Sequence, residues 1–342
     1  MSGEKKFITL GIETSCDDTG LAVLAGDGEV LASILSSQTA SHSVYGGVVP
    51  ELASRMHQEA IIPLLDEVLK DAGLSEPEKD IDLIAVTAGP GLMGSLLVGV
   101  MTAKALSQGW NKTLIGVNHL EGHIFANMVI HKELTPPFIS VIVSGGHTEL
   151  VLVDDFGKYL LLGSTRDDAA GEAFDKLAKT LGLGYPGGPA VDRLARGGDS
   201  DAYPLPVPLS GTKEIEFSFS GLKTAAITTI RNAEKTGVPV RTKDICASFQ
   251  AAVVESLAGK IALAASKTGI KKIALSGGVS ANEGLRNRML ELAVKNGWRV
   301  FLPSIAMCTD NAVMIAAAGY NGYLRGASSD LSLTPNPSWE LW

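Results

Sequence analysis

The 342-residue chain is short of cysteine, of positive charge and of long apolar runs, and each shortage narrows what it does. Cysteine occurs three times, at Cys16, Cys246 and Cys308, far apart and without a CxxC pair. So sparse and odd a set excludes a disulfide framework and fits free thiols in a reducing compartment. Lys and Arg number 29 against 37 Asp and Glu, a net charge of −8. Contacts to a nucleic-acid backbone need clustered cations, which argues mildly against a stand-alone nucleic-acid binder. The basic stretches at 267–272 and 286–288 read as solvated helix faces, so an RNA role would rest on site chemistry and on a partner adding basic surface. No apolar run reaches the roughly 20 residues that span a bilayer. Residues 92–110 come closest, but Lys104, Gln108 and several glycines mark a buried helix. Residues 1–6 are polar and run straight into a strand, without a signal-peptide pattern. The expectation is a soluble, cytoplasmic protein with no membrane role.

What is present is an ordinary globular composition, 45% hydrophobic and 19% charged, with material for two domain-sized cores. Three β-rich runs open the chain, 7–15, 19–25 and 29–38, separated by CDD and GDG turns. Pro50 starts a helix over 51–72, with Leu52, Met56, Ile61, Leu64, Leu65 and Val68 at helical spacing. A strand at 83–87 ends in a Gly-Pro-Gly turn that feeds a helix over 92–110. Much of this order recurs: a meander at 138–144, 148–154 and 158–163, then a strand at 272–276, a glycine turn and a helix over 281–296. The pattern predicts a duplication, two α/β domains that face a ligand cleft at the carboxyl ends of their strands. The expected division is 1–118 and 119–308, with a helix at 309–326 packing back on the first domain. The second domain would carry a mostly helical insertion at about 169–269, and the tail at 330–342 reads as irregular.

Four constellations carry chemistry. In NHLEGH (118–123), His119 and His123 stand at i and i+4, so both imidazoles can reach one ion. Paired capping or surface histidines are an equal reading. Glu121 does not occupy the general-base position of the HExxH protease motif. A third ligand is required, and Asp310 in CTDN is the best carboxylate, although its place at a helix start favours a plain N-cap. The turns in VSGGHT (143–148) and LSGGVSAN (275–282) offer backbone amides to a phosphate, and the second precedes a helix N-terminus. GIETSCDDTG (11–20) places acidic and hydroxyl residues in the first hairpin, where Asp18 reads as an ordinary turn residue and Cys16 as a buried inert thiol. DDAAGEAFDK (167–176) and GYPGGP (184–189) are individually weak signals.

Together these segments resemble the TsaD family, the bacterial tRNA threonylcarbamoyladenosine synthases once described as O-sialoglycoprotein endopeptidases. The resemblance also runs through GGVVPELASRMH (46–57), TAGPGLMGSLLVG (87–99) and FSFSGLKTA (217–225), in one order over nearly the whole chain. It implies a duplicated ASKHA fold (actin-like ATPase, RNase H-like) of two domains facing a nucleotide cleft. It implies a metal held by His119, His123 and Asp310, Fe(II) before Zn(II). An adenine nucleotide (threonylcarbamoyl-AMP, AMP or ATP) would be recognised by Ile142, Val143, Ser144, Gly145, Gly146, Asp175, Gly188, Asp192 and Asn282. The implied reaction moves a threonylcarbamoyl group from L-threonylcarbamoyladenylate to the exocyclic amine of the adenosine 3′-adjacent to the anticodon, releasing AMP. The implied partners are tRNA, a TsaB-like inactive paralogue and a TsaE-like ATPase. Glu13 and Asp17 are the candidate catalytic carboxylates, Asp17 to orient or deprotonate the attacking amine.

Overall fold

The computed structural model describes residues 6–26 and 28–342. The polar start at 1–5 and the middle of the GDG turn lie outside the described residues. Its strands are β1 (Ile8–Glu13), β2 (Asp18–Ala25), β3 (Glu29–Ser37), β4 (Leu83–Gly89) and β5 (Thr113–Asn118). They continue as β6 (Phe138–Val143), β7 (Thr148–Asp155), β8 (Lys158–Ser164), β9 (Lys272–Ser276) and β10 (Arg299–Phe301). The longer helices begin with α1 (Pro50–Asp71), α2 (Met93–Trp110), α3 (His119–Ile130), α4 (Ala170–Thr180) and α5 (Gly187–Ala195). They end with α6 (Ser220–Lys235), α7 (Thr242–Thr268), α8 (Glu283–Asn296) and α9 (Ala312–Leu324). Two units divide the chain: Met1–Leu134 with Asp310–Trp342, and Thr135–Thr309. Helix α3 thus goes with the first unit, and the break expected at 118/119 falls after Leu134 instead.

In the first unit the sheet runs β3-β2-β1-β4-β5, antiparallel across the first three strands and parallel from β1 through β4 to β5. The central strand β1 is buried along its whole length, as a strand covered on both faces must be. Its period of two sorts the side chains. Ile8, Leu10 and Ile12 enter a core with Ile61 and Leu65 of α1 and Val100 and Ala103 of α2. Gly11 points the other way, against α9, where a β-carbon would lie 2.4 Å from the Ala312 carbonyl oxygen. The missing side chain is what lets the start of α9 sit on the sheet, and Glu13 projects from the same face two residues on.

The second unit repeats the plan. Its sheet runs β8-β7-β6-β9-β10, with β6, β7 and β8 antiparallel and β9 and β10 parallel to β6. The same order and sense in both units is the duplication read from the sequence pattern. Phe174, Phe217, Phe219 and Phe249 are fully buried in its core. Helix α7 is long and apolar enough to cross a membrane, but 78% of its apolar stretch is buried inside the protein, as in a core helix. The helix expected over 281–296 is split. Residues Gly278–Ala281 form a 3-10 turn, and α8 begins at Glu283 because the Asn282 side chain caps it, accepting from Leu285 N at 2.9 Å. The sequence pattern marks neither β5 nor β10; β10 is three residues long, too short to show an alternation.

Candidate functional site

In the first unit, the NHLEGH segment folds as a capped helix start. Asn118 Oδ1 accepts from Leu120 N at 2.9 Å, so His119 is the first residue of α3 and His123 stands one turn later. The two rings meet edge to face, centroids 4.7 Å apart. Asp310 joins them: its Oδ1 lies 3.4 Å from His119 Nε2 and 3.3 Å from His123 Nε2. The N-cap alternative for Asp310 falls away because its neighbour does that work. Asn311 Oδ1 accepts from Met314 N at 3.0 Å and caps α9. Three donors from positions 119, 123 and 310 thus lie within 4.8 Å of one another.

The geometry fits a metal ion. Two ligand atoms about 2.1 Å from one ion, at angles of about 90–110°, stand about 3.0–3.4 Å apart. Among the described residues neither ring nitrogen of the fully buried His123 has an aligned hydrogen-bond partner. His119 directs its other nitrogen, Nδ1, to Glu13 Oε2 at 3.1 Å. A carboxylate behind a histidine sets the ring's orientation and leaves Nε2 for the ion.

Glu13, a candidate catalytic carboxylate in the sequence, is fully buried with both oxygens committed. Ser15 N donates to Oε1 at 2.5 Å, and Thr87 Oγ1 donates to Oε2 at 2.6 Å. That commitment suits a residue that positions His119 rather than one that meets a substrate. Burial opposes charge on the His119 ring, yet Asp310 and then Glu13 hold its pKa well above the ordinary value. Burial likewise pushes Asp310 upward, but the facing His119 and His123 keep it well below the usual carboxylate range. The raised pKa favours the imidazolium form of His119 between the two carboxylates, so an ion at Nε2 would compete with a proton. Metal affinity should rise about tenfold per pH unit below that raised pKa, because one proton leaves for each ion bound. Chelator competition between about pH 6 and pH 8 measures this, and a flat profile would mean the ring is already neutral.

Asp17 sits on the β1–β2 turn, half-buried, and the turn is gripped from behind. His57 Nε2 donates to the Cys16 carbonyl at 3.0 Å while its Nδ1 faces Thr19 Oγ1 at 2.7 Å. Ser95 Oγ donates to the same carbonyl at 3.1 Å. The motif ending in His57 shows no such role in the sequence, because the contact spans 41 residues. Burial, with Asp17 and Asp310 nearby, pushes the Cys16 thiol far up, as an inert cysteine requires. Burial also raises Asp18 to about 6, against a hydrogen bond from Ser37 and with help from Asp17 and Asp310. Glu121 pairs with Arg325 Nη2 at 3.0 Å, which engages it away from the histidine pair.

In the second unit the remaining candidates form a closed ring of contacts. Gly171, on α4, comes so close to the Ser144–Gly145 turn that a β-carbon would lie 2.6 Å from the Ser144 carbonyl oxygen. One turn further, Asp175 Oδ1 accepts from Gly187 N at 2.7 Å and Gly188 N at 3.3 Å, capping α5. Asp192, one turn into α5, accepts from Glu283 N at 3.2 Å, next to Asn282. Asn282 donates to Gln250 Oε1 at 2.7 Å. Gly277 closes the ring: at φ 83° it packs where a β-carbon would lie 2.4 Å from the Val143 carbonyl oxygen. Two expectations change here. Ile142 and Val143 are fully buried, so only their backbone can face a ligand. The Ser144–Gly146 turn does not leave all its amides free, since Gly146 N and His147 N donate to Ser144 Oγ at 3.3 and 3.1 Å.

Residues 29–317 match the family described as TsaD, tRNA N6-adenosine threonylcarbamoyltransferase. A tRNA N6-adenosine threonylcarbamoyltransferase of Clostridium perfringens is 49% identical over 336 residues, covering 98% of each chain. Its counterpart in Bacillus cereus is 48% identical over 339 residues, 99% of this chain and 98% of that one. Among solved structures, full-length HypF in a phosphate- and nucleotide-bound form superposes with a TM-score of 0.62 at 17% identity. That likeness covers 96% of this chain and 48% of HypF. Component A of the (R)-2-hydroxyglutaryl-CoA dehydratase of Acidaminococcus fermentans gives 0.53 at 17% identity, over 93% and 99% of the two chains. At such identities the two structures speak for the fold alone, the duplicated ASKHA architecture. The relatives spanning the whole chain say more, and on them this chain belongs to the TsaD family of tRNA N6-adenosine threonylcarbamoyltransferases.

Proposed function

We propose that this chain moves a threonylcarbamoyl group from L-threonylcarbamoyladenylate to the exocyclic amine of the adenosine 3′-adjacent to the anticodon. The tRNAs are those reading codons that begin with A, and AMP is released. The observation that carries the reading is the convergence of His119, His123 and Asp310, with Glu13 behind His119, in a chain of this family. Two imidazoles and a carboxylate suit Fe(II) first and Zn(II) second, whereas Mg(II) prefers oxygen ligands. A divalent ion held there would supply Lewis acidity to a phosphate oxygen of the departing AMP.

The protein's own groups supply placement. An exocyclic adenine amine is a poor nucleophile, its lone pair being delocalised into the ring, so transfer depends on alignment. Holding two reactants together is worth up to about 7–11 kcal/mol in favourable cases. Asp17 is the group proposed to orient the amine or take its proton. In the second unit, the Asp175 and Asp192 carboxylates are acceptors, which suits hydroxyl and amine groups of a nucleoside better than a phosphate, and Asp192 shares its charge with Arg196 at 3.0 Å. The backbone of 142–146, with Gly188 and Asn282, completes that nucleoside-binding set.

The net charge of −8 fits a need for helpers in gripping tRNA, and the proposed ones are a TsaB-like inactive paralogue and a TsaE-like ATPase, in the cytoplasm and away from membranes. The protease reading has nothing to support it at Glu121, which is paired with Arg325. The deciding experiment mixes the purified chain with those partners, unmodified tRNA and threonylcarbamoyladenylate, then digests the tRNA and separates its nucleosides. Threonylcarbamoyladenosine with matching AMP is the expected result. AMP released without modified adenosine would overturn the transfer.

A further inference from the structure

The chain's last residues carry neither helix nor strand, yet they are bonded along one edge of the first unit. β5 is an edge strand, and an uncovered edge leaves amides and carbonyls unpaired. Beyond α9, Ser329 N donates to the Leu114 carbonyl at 2.7 Å, and Ser329 Oγ accepts from Gly116 N at 3.1 Å. Leu333 then packs on Gly116, where a β-carbon would come within 2.8 Å of it. Asn336 N donates to the Ala88 carbonyl at 2.7 Å, and the Pro337 carbonyl accepts from Gly91 N at 3.2 Å. Gly89 has no room for a side chain there, since a β-carbon would lie 1.9 Å from the Asn336 carbonyl oxygen.

Two of these attachments end on groups that set the metal centre. Asn118 is bound at both ends of its amide: Oδ1 caps α3, the helix of His119 and His123, while Nδ2 donates to the Trp339 carbonyl at 3.1 Å. The tail therefore fixes the rotamer of the cap. On its other side, the Gly89–Gly91 turn backs Ser15. Leu92 N donates to the Ser15 carbonyl at 2.8 Å, and a β-carbon on Gly91 would lie 2.5 Å from that oxygen. Ser15 N in turn holds Glu13 Oε1. One segment thus braces both His119 and the carboxylate behind it.

We propose that residues 329–339 act as a strap that positions the metal centre, through the Trp339 carbonyl on Asn118 and the Pro337 carbonyl on Gly91. The proposal rests on His119, His123 and Asp310 being metal ligands, so its test includes an arm without metal. Truncation after Thr334 keeps the Ser329 and Leu333 anchors and removes the bonds to Ala88, Gly91 and Asn118. Asn118→Asp keeps the oxygen that caps Leu120 but loses the donor to Trp339. In Zn(II) competition against a chromogenic chelator, each variant should lose about tenfold or more in affinity, the range of outer-shell residues. Combining them should add little, since both break the same brace. A synthetic peptide of residues 335–342 should restore the truncated chain. In the metal-free chains, amide exchange at Leu120 should quicken at least about tenfold in both variants.

Unchanged Zn(II) affinity and unchanged Leu120 exchange in the truncated chain, even with a lower melting temperature, would overturn the strap and leave it a general stabiliser. Should the intact chain bind no Zn(II), the ligand reading fails and the Leu120 exchange alone decides the strap. Should the truncated chain not fold, Asn118→Asp decides it by the same two readouts.

Discussion

His119→Ala should strip the metal from the protein and abolish transfer. Elemental analysis of the purified variant should find less than a tenth of the metal carried by the parent. The loss should exceed the roughly 10–100-fold seen when an outer-shell residue is removed, because a direct ligand goes. The same change strands Glu13, fully buried with its oxygen no longer facing an imidazole. Glu13 keeps its bonds from Ser15 N and Thr87 Oγ1, so the cost falls below the roughly 3–5 kcal/mol of a fully uncompensated buried partner, yet this variant should still melt early. His123→Ala separates the two effects. Its imidazole faces Asp310 and has no aligned hydrogen-bond partner among the described residues, so the metal should go with a smaller loss of stability. A fully loaded His119→Ala protein would end the ligand assignment.

Asp17→Ala should leave metal content and melting behaviour near those of the parent while single-turnover transfer, with tRNA bound, falls about 10²–10⁴-fold. The reason lies in what the neighbouring carboxylates are already doing. Glu13 is spent on Ser15, Thr87 and His119, and Asp18 is pushed up to about 6 by its burial. Asp17 is half-buried, on a turn held still by His57 and Ser95 at the preceding carbonyl. Asp17→Asn divides the two roles: an orienting group tolerates the amide, and a proton acceptor does not. Near-normal turnover in Asp17→Ala would move the role elsewhere.

Much of the architecture was legible because it follows from short-range patterns. The β-rich run at 7–15 and the meander opening at 138–144 marked two strands, and the apolar spacing after Pro50 marked α1 to within a residue or two. The i, i+4 histidines could be placed on one helical face from spacing alone. Less legible were the roles of the acidic groups. Asp310 and Asn311 are both good N-cap residues, and nothing local says that Asn311 takes the cap and releases Asp310. Ser144 read as part of an open phosphate turn, yet its hydroxyl takes two of the turn's amides. The tail at 330–342 has no periodicity to read, although its carbonyls reach Asn118 and Gly91.

By itself the sequence determined the two repeated sheets, the helical face that pairs His119 with His123, and the glycines that let backbones approach. Those depend on residues a few positions apart, whose relation survives in any fold of that local geometry. The tertiary structure alone decided which carboxylate meets the histidine pair, which backs His119 and which stays half-buried on a turn. A carboxylate's role is set by what reaches its two oxygens, and for Glu13 that is a histidine 106 residues away. No local pattern encodes that meeting; it arises only when α3 and α9 settle beside β1.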